Sequence, residues 1–215
     1  MAQTRRSERG FTFIEVLVVM GIIAVLAGLT DVAMNLIVRR GPEFATESRV
    51  KKVKATVDQW RQRFDQYPPT DPNRLRKIAG GAEGLPAAPN AFNVGIETLY
   101  QAFYWPTFNG DPALGDAELA NTDEDEYAKP TTQGKIVYEI VDDWGSPLVF
   151  FVHTDYAKAD GSPPSYINFR GEEVTPRPWK YSDEDRGFAE PRGVQVFSMG
   201  EDGEPNTDDD VKSWE

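Results

Sequence analysis

The sequence predicts an α+β chain in which one long N-terminal α-helix, apolar in its first half and amphipathic in its second, packs on a small antiparallel β-sheet head. Three observations predict it. Phe11 to Leu29 is a run of 19 residues whose only ionisable member is Glu15. Val50, Val53, Val57, Trp60, Phe64 and Tyr67 then recur at steps of three and four, the period of an apolar stripe along a helix. Finally, Lys135 to Val141 (KIVYEIV) alternates apolar and polar residues and is followed by further short β-rich runs, the pattern of strands with one face buried.

The apolar run is close to the roughly 20 residues that a helix needs to cross a bilayer core. Arg5, Arg6 and Arg9 precede it and outnumber the single leader acid Glu8, so charge bias leaves the N-terminus in the cytoplasm and carries the rest of the chain across. Glu15 is out of place in such a run, because an acid in a membrane helix costs about 2.5–3.5 kcal/mol and marks a function or a partner cation. An ordinary single-pass anchor needs no such acid. A secretory signal peptide with a cut near Ala27 fits the basic start and the apolar span after Glu15.

Gly10, then Phe11, then Glu15 as the fifth residue from Phe11, with an aliphatic tail behind it, resembles the N-terminus of type IV pilins and pseudopilins. The resemblance implies that a prepilin peptidase cuts after Gly10 and methylates the new N-terminus at Phe11. It also implies that Glu15 pairs with the freed Phe11 amine, in the same subunit or a neighbour, during filament assembly. The organisation then reads as a cleaved leader over 1–10, a membrane and assembly helix over 11–40, and an extracytoplasmic head over 41–215.

Gly41 and Pro42 predict a kink or break in the helix. The amphipathic stripe after them predicts the face that the helix lays on its own head, and it ends at Pro68 and Pro69. A helix from Phe11 to Gln66 would reach roughly 80 Å at 1.5 Å per residue, the rod of a pilin. The family commonly places its helix proline earlier, where this chain has Thr30, Asp31 and Val32.

Residues 70–134 read as a variable insertion rich in Pro, Gly, Asn and Asp, with one short helix over Gly95–Tyr104. Its acidic run, Asp123 to Glu126, reads as a solvated loop. Over 135–215, Lys135–Val141 and Leu148–His153 predict a hairpin turned by Asp142 to Pro147, with further strands near Ser165–Phe169 and Val194–Ser198. The turn D-x-W-G-x-P and the later S-x-G-x-D-G before an acidic tail are similar to the major pseudopilins of type II secretion systems.

Composition limits the functions open to the chain. There is no cysteine, so disulfides and thiolate chemistry are excluded. Residues 41–215 hold 18 basic and 32 acidic groups, a net of −14, which argues against a nucleic-acid surface. His153 is the only histidine, and neither a phosphate loop nor a nucleophile elbow is present. The chain reads as a substrate of a peptidase and not as an enzyme.

Glu201 to Asp210 (EDGEPNTDDD) gathers six carboxylates in ten residues, without the spacing of an EF-hand. Such a loop suits a hard oxygen-liganded cation or stands as a hydrated acidic turn. The pseudopilin resemblance implies structural Ca²⁺ through Asp202 and Asp210, with Asp208 or Asp209 also available. It further implies a subunit of a periplasmic pseudopilus, a helical homopolymer joined by minor pseudopilins, an inner-membrane assembly platform and membrane lipid, with no nucleic acid. A type IV pilin or minor pilin for adhesion, motility or DNA uptake, and a tethered Ca²⁺-dependent module that never polymerises, are the competing readings.

Overall fold

The computed structural model describes residues 12–78, 88–104, 108, 114–131, 134–181 and 187–215, with side chains left out at 28–39, 116 and 129–131. Helix α1 spans Phe13–Phe64 and contains Pro42. The expected break at Gly41 and Pro42 is therefore not seen in the backbone assignment. Proline removes only one amide donor, and helical residues on both sides carry the ladder past it. The chain nevertheless divides into two compact units at this place, Met1–Gly41 and Pro42–Glu215.

In the first unit the apolar side chains stand exposed. Phe13, Ile14, Val16, Leu17, Val18, Val19, Met20, Ile22, Ile23, Val25 and Leu26 are all open, Phe13 at 83%. Successive residues turn by about 100° around a helix, so these cover its whole circumference. A helix that is apolar all round is one that something else covers. Among the described residues no helix is long and apolar enough to cross a membrane. The expected span over 11–40 includes Phe11 and the side chains of 28–39, which lie outside the described set.

The second unit holds the core. Val50, Val53, Val57 and Trp60 are fully buried, while Phe64 and Tyr67 pack on the core from its margin, so the predicted stripe is the face α1 lays on its own head. The helix stops at Phe64, short of Gln66, because Asp65 turns left-handed at φ 56°, a C-terminal stop. Farther up the same helix, the buried Arg49 donates from Nη1 to the Val141 carbonyl at 2.6 Å. The Thr46 hydroxyl accepts the Asp143 N–H at 3.0 Å. Together they fasten the D-x-W-G-x-P turn to α1.

Two helices follow, α2 (Pro72–Ile78) and α3 (Val94–Phe103). The latter is the short helix expected over Gly95–Tyr104. Strands β1 (Leu119–Ala120), β2 (Glu126–Thr131), β3 (Gly134–Ile136), β4 (Glu139–Ile140) and β5 (Val149–Val152) lead to α4 (Tyr156–Gly161), then β6 (Tyr166–Ile167), β7 (Glu173–Val174) and β8 (Val194–Phe197). Among the described residues the strands pair antiparallel in four two-stranded ladders, β1 with β4, β2 with β3, β5 with β8, and β6 with β7, while an isolated bridge between Phe92 and Ser165 is parallel.

The single sheet expected from sequence is thus divided. KIVYEIV is not one strand: β3 takes its first part toward β2 and β4 takes its last toward β1. The turn at 142–147 does close, through the Val141–Pro147 bridge and the Leu148 N–H donating to the Ile140 carbonyl at 2.8 Å. Its second arm then leaves the hairpin, because β5 is buried along its whole length and pairs residue for residue with β8. The acidic run is solvated only in part: Glu124 and Glu126 are exposed, but the rest turns inward. Asp125 is 8% exposed, and Glu126 opens β2. The Asn121 side chain brackets Asp125, accepting its N–H at 3.1 Å and donating to its carbonyl at 2.8 Å, so the turn folds back on the head.

Candidate functional site

The sequence singles out two regions, one at each end of the chain. At the N-terminal end, Gly10 and Phe11 lie outside the described residues. Glu15 is described, and it turns back on Thr12. Its Oε2 accepts the Thr12 N–H at 2.7 Å and the Thr12 hydroxyl at 2.8 Å, while the Glu15 N–H donates to Thr12 Oγ1 at 3.3 Å. This is a capping box, reciprocal bonds that satisfy orphan donors at a helix start. The signal was in the sequence as T-x-x-E ahead of the apolar run. In this chain the carboxylate is held locally, by Thr12 within its own first turn.

At the C-terminal end the two turn motifs form one node. The Asp142 carboxylate is buried and accepts the N–H groups of Trp144 at 3.0 Å and Ser146 at 2.8 Å through Oδ1. Its Oδ2 accepts the Ser198 hydroxyl at 2.6 Å, and Ser198 Oγ in turn accepts the Gly200 N–H at 3.0 Å. Burial raises the Asp142 pKa against the pull of these donors. The D-x-W-G-x-P turn thus sets the position at which the acidic loop begins. Gly200 has φ +66°, and a Cβ there would meet Asp209 Oδ2 at 2.3 Å. Only glycine lets the loop close over that carboxylate.

Within the loop the four expected ligands do different things. Asp209 accepts the Thr207 hydroxyl at 2.6 Å and the Asp202 N–H at 3.2 Å, and these bonds help hold its pKa below the ordinary carboxylate value against its partial burial. Asp202 Oδ1 accepts the Glu204 N–H at 2.8 Å, and Asp208 is exposed. Asp210 is 5% exposed. Its Oδ2 accepts the Asn206 N–H at 2.9 Å and the Trp179 Nε1–H at 3.1 Å, while its Oδ1 is buried without a partner. Burial pushes Asp210 up to about 7. Among the described residues the four aspartates do not bring three carboxylate oxygens within reach of one cation; what the loop shows is a single orphaned buried oxygen, on Asp210.

A third acidic group was not anticipated. Glu97 on α3, Asp123 on the β1–β2 turn and Glu139 on β4 bring carboxylate oxygens within 4.8 Å of one another. Burial first, then the neighbouring acids Asp125, Asp123 and Glu139, push Glu97 up to about 10. Burial likewise raises Glu139 to about 8 and Asp125 to about 7. The readable signal was Glu139 standing two residues from Val137 and Val141, on the apolar side of an alternating run. Asp123 was readable only as a member of a charge run.

Comparison with known proteins bears on the first region. Residues 5–30 match the prokaryotic N-terminal methylation motif, the prepilin-type signal of type IV pilin-like proteins. That match implies prepilin-type processing. No curated protein and no solved structure matches the chain.

Proposed function

We propose that the chain is a structural subunit of a type II secretion pseudopilus, cut after Gly10, methylated at Phe11 and assembled into a periplasmic filament through its N-terminal helix. The match of residues 5–30 to the methylation motif carries the reading. The exposed apolar circumference of α1 supports it, because lipid covers such a helix before assembly and neighbouring subunits cover it afterwards. The link between Asp142 and Ser198 favours the secretion subunit over a motility or adhesion pilin, since it gives one structural task to the two motifs that resemble major pseudopilins. The protein works as scaffold, without catalysis.

Mass spectrometry of the chain isolated from membranes tests this directly. The expected mature chain begins at N-methylated Phe11. Retention of Met1, or a cut near Ala27, would overturn the reading.

In the same proposal Ca²⁺ sits in the C-terminal loop on Asp202 and Asp210, with Asp208 or Asp209 beside them. Bound there, the cation would cancel the mutual repulsion of the carboxylates and fix the loop against β8. A ligand at 100 times its dissociation constant adds about 2.7 kcal/mol to the folded state. Full-length protein in detergent should therefore melt at a higher temperature in Ca²⁺ than in chelator, and Asp202→Ala and Asp210→Ala should each narrow that gap. An unchanged gap in both variants leaves the loop a hydrated acidic turn.

A further inference from the structure

We infer that Glu97, Asp123 and Glu139 form a second, interior binding site for a hard divalent cation of Ca²⁺ size, one that ties the insertion to the sheet. The site is separate from the C-terminal loop and does not depend on the filament reading. Its three residues come from three elements: the first turn of α3, the turn between β1 and β2, and strand β4. Oxygens bound to one Ca²⁺ at 2.3–2.6 Å lie no more than about 5 Å apart. The three carboxylates present oxygens within 4.8 Å of one another.

Geometry alone would describe any acidic cluster, and burial separates this one. Glu97 is 1% exposed and its Oε1 has no hydrogen-bond partner. Asp123 offers a second orphan: its Oδ2 accepts Asn90 Nδ2–H at 2.8 Å, while Oδ1 is buried and unpartnered. Asp125 adds two more, both of its oxygens being buried without a partner. A buried acceptor left unpaired bears its desolvation cost uncompensated, and a charged one bears more. The Glu97 and Asp123 orphans belong to the cluster itself, and such groups are retained where something cationic satisfies them together.

Glu139 is positioned from its other side. It accepts Asn93 Nδ2–H at 3.0 Å through Oε1 and the Thr122 N–H at 3.1 Å through Oε2. The Thr122 hydroxyl lies 3.4 Å from Oε1 and donates as well to the Ile167 carbonyl at 3.1 Å, while Asn93 Oδ1 accepts the Ile167 N–H at 3.0 Å. These neutral donors fix the carboxylate without neutralising it. The charged groups that act on Glu97 are Asp125, Asp123 and Glu139, all acids. A divalent cation taken up from solution would satisfy these acids together. Carboxylates with amide and hydroxyl neighbours select Ca²⁺ over softer metals.

Equilibrium dialysis against Ca²⁺ on full-length protein in detergent tests the site, in the parent and in an Asp202→Asn/Asp210→Asn chain whose C-terminal loop is disabled. The loop-disabled chain should still bind one Ca²⁺, and adding Glu97→Gln or Asp123→Asn should weaken that binding at least tenfold. Failure of the loop proposal would instead appear as parent and loop-disabled chains binding alike. Thermal melts guard against simple misfolding. Because glutamine is isosteric and carries no charge, Glu97→Gln in chelator should melt at least as high as the parent and lose only the Ca²⁺-dependent rise. A loop-disabled chain that binds no Ca²⁺, binding undiminished by both amide variants, or a Glu97→Gln chain lowered equally in Ca²⁺ and chelator would each overturn the inference.

Discussion

Replacing Glu15 with valine is expected to give a chain that inserts and is processed but is absent from sheared filament fractions. An acid in lipid costs about 2.5–3.5 kcal/mol, so the valine chain should enter the membrane at least as well as the parent. What it would lose, under the proposed processing, is the acid that meets the amine freed at Phe11. Glu15 also caps its own helix through Thr12, and a cap is worth about 1 kcal/mol. A Thr12→Ala chain separates the two roles, because it removes the capping hydroxyl and keeps the charge. It should still assemble. Filaments from Glu15→Val at the parent's level, or an equal defect in Thr12→Ala, would show that charge pairing is not what Glu15 supplies.

The largest loss of stability is expected at Trp60. Its ring is fully buried, 4.2 Å from Phe64 and 5.2 Å from Phe108 between centroids. Truncation to alanine should cost about 3–5 kcal/mol, or on the order of 10 °C in midpoint for a chain of this size. The indole Nε1–H is buried and has no acceptor. Phenylalanine should consequently be tolerated far better, since it keeps an aromatic ring and removes the orphan donor. Equal midpoints for Trp60→Ala and Trp60→Phe in denaturation followed by circular dichroism would refute this account of the core.

Trp60 also marks what the sequence made legible. The stripe from Val50 to Trp60 needs only local periodicity, and a helix turns that periodicity into a face whatever lies opposite. The same holds for α3, and for the turn at 142–147, whose residues bond to one another. Strand partners were not legible. Val149 meets Phe197 across a long stretch of chain, and KIVYEIV is divided because β1 and β2, on the far side of a turn, compete for its two ends. Alternation tells which face of a strand is apolar but not which neighbour it finds.

At the sites the limits were similar. Glu15 stood out because lipid makes an acid costly, and it lies within the matched methylation motif. Glu97 was concealed inside a short apolar helix. Asp123 and Asp125 were concealed by the common behaviour of acidic runs, which are usually hydrated. Only the fold brings the turn, α3 and β4 together.

The division of the sheet into short ladders bears on how such subunits can be stored. Chains tethered to one membrane meet at high effective concentration, and any long free strand edge would then template uncontrolled accretion. Among the described residues the longest strand is β2, of six residues, which includes Pro130, a residue with no amide hydrogen to lend, and its exposed partner β3 carries Lys135. Among the described residues the heads thus offer neighbours poor templates. Under the proposed assembly, a membrane reservoir of such subunits would stay unaggregated until helix packing at the growing end draws them in, and growth would be timed by recruitment and not by the stickiness of the heads.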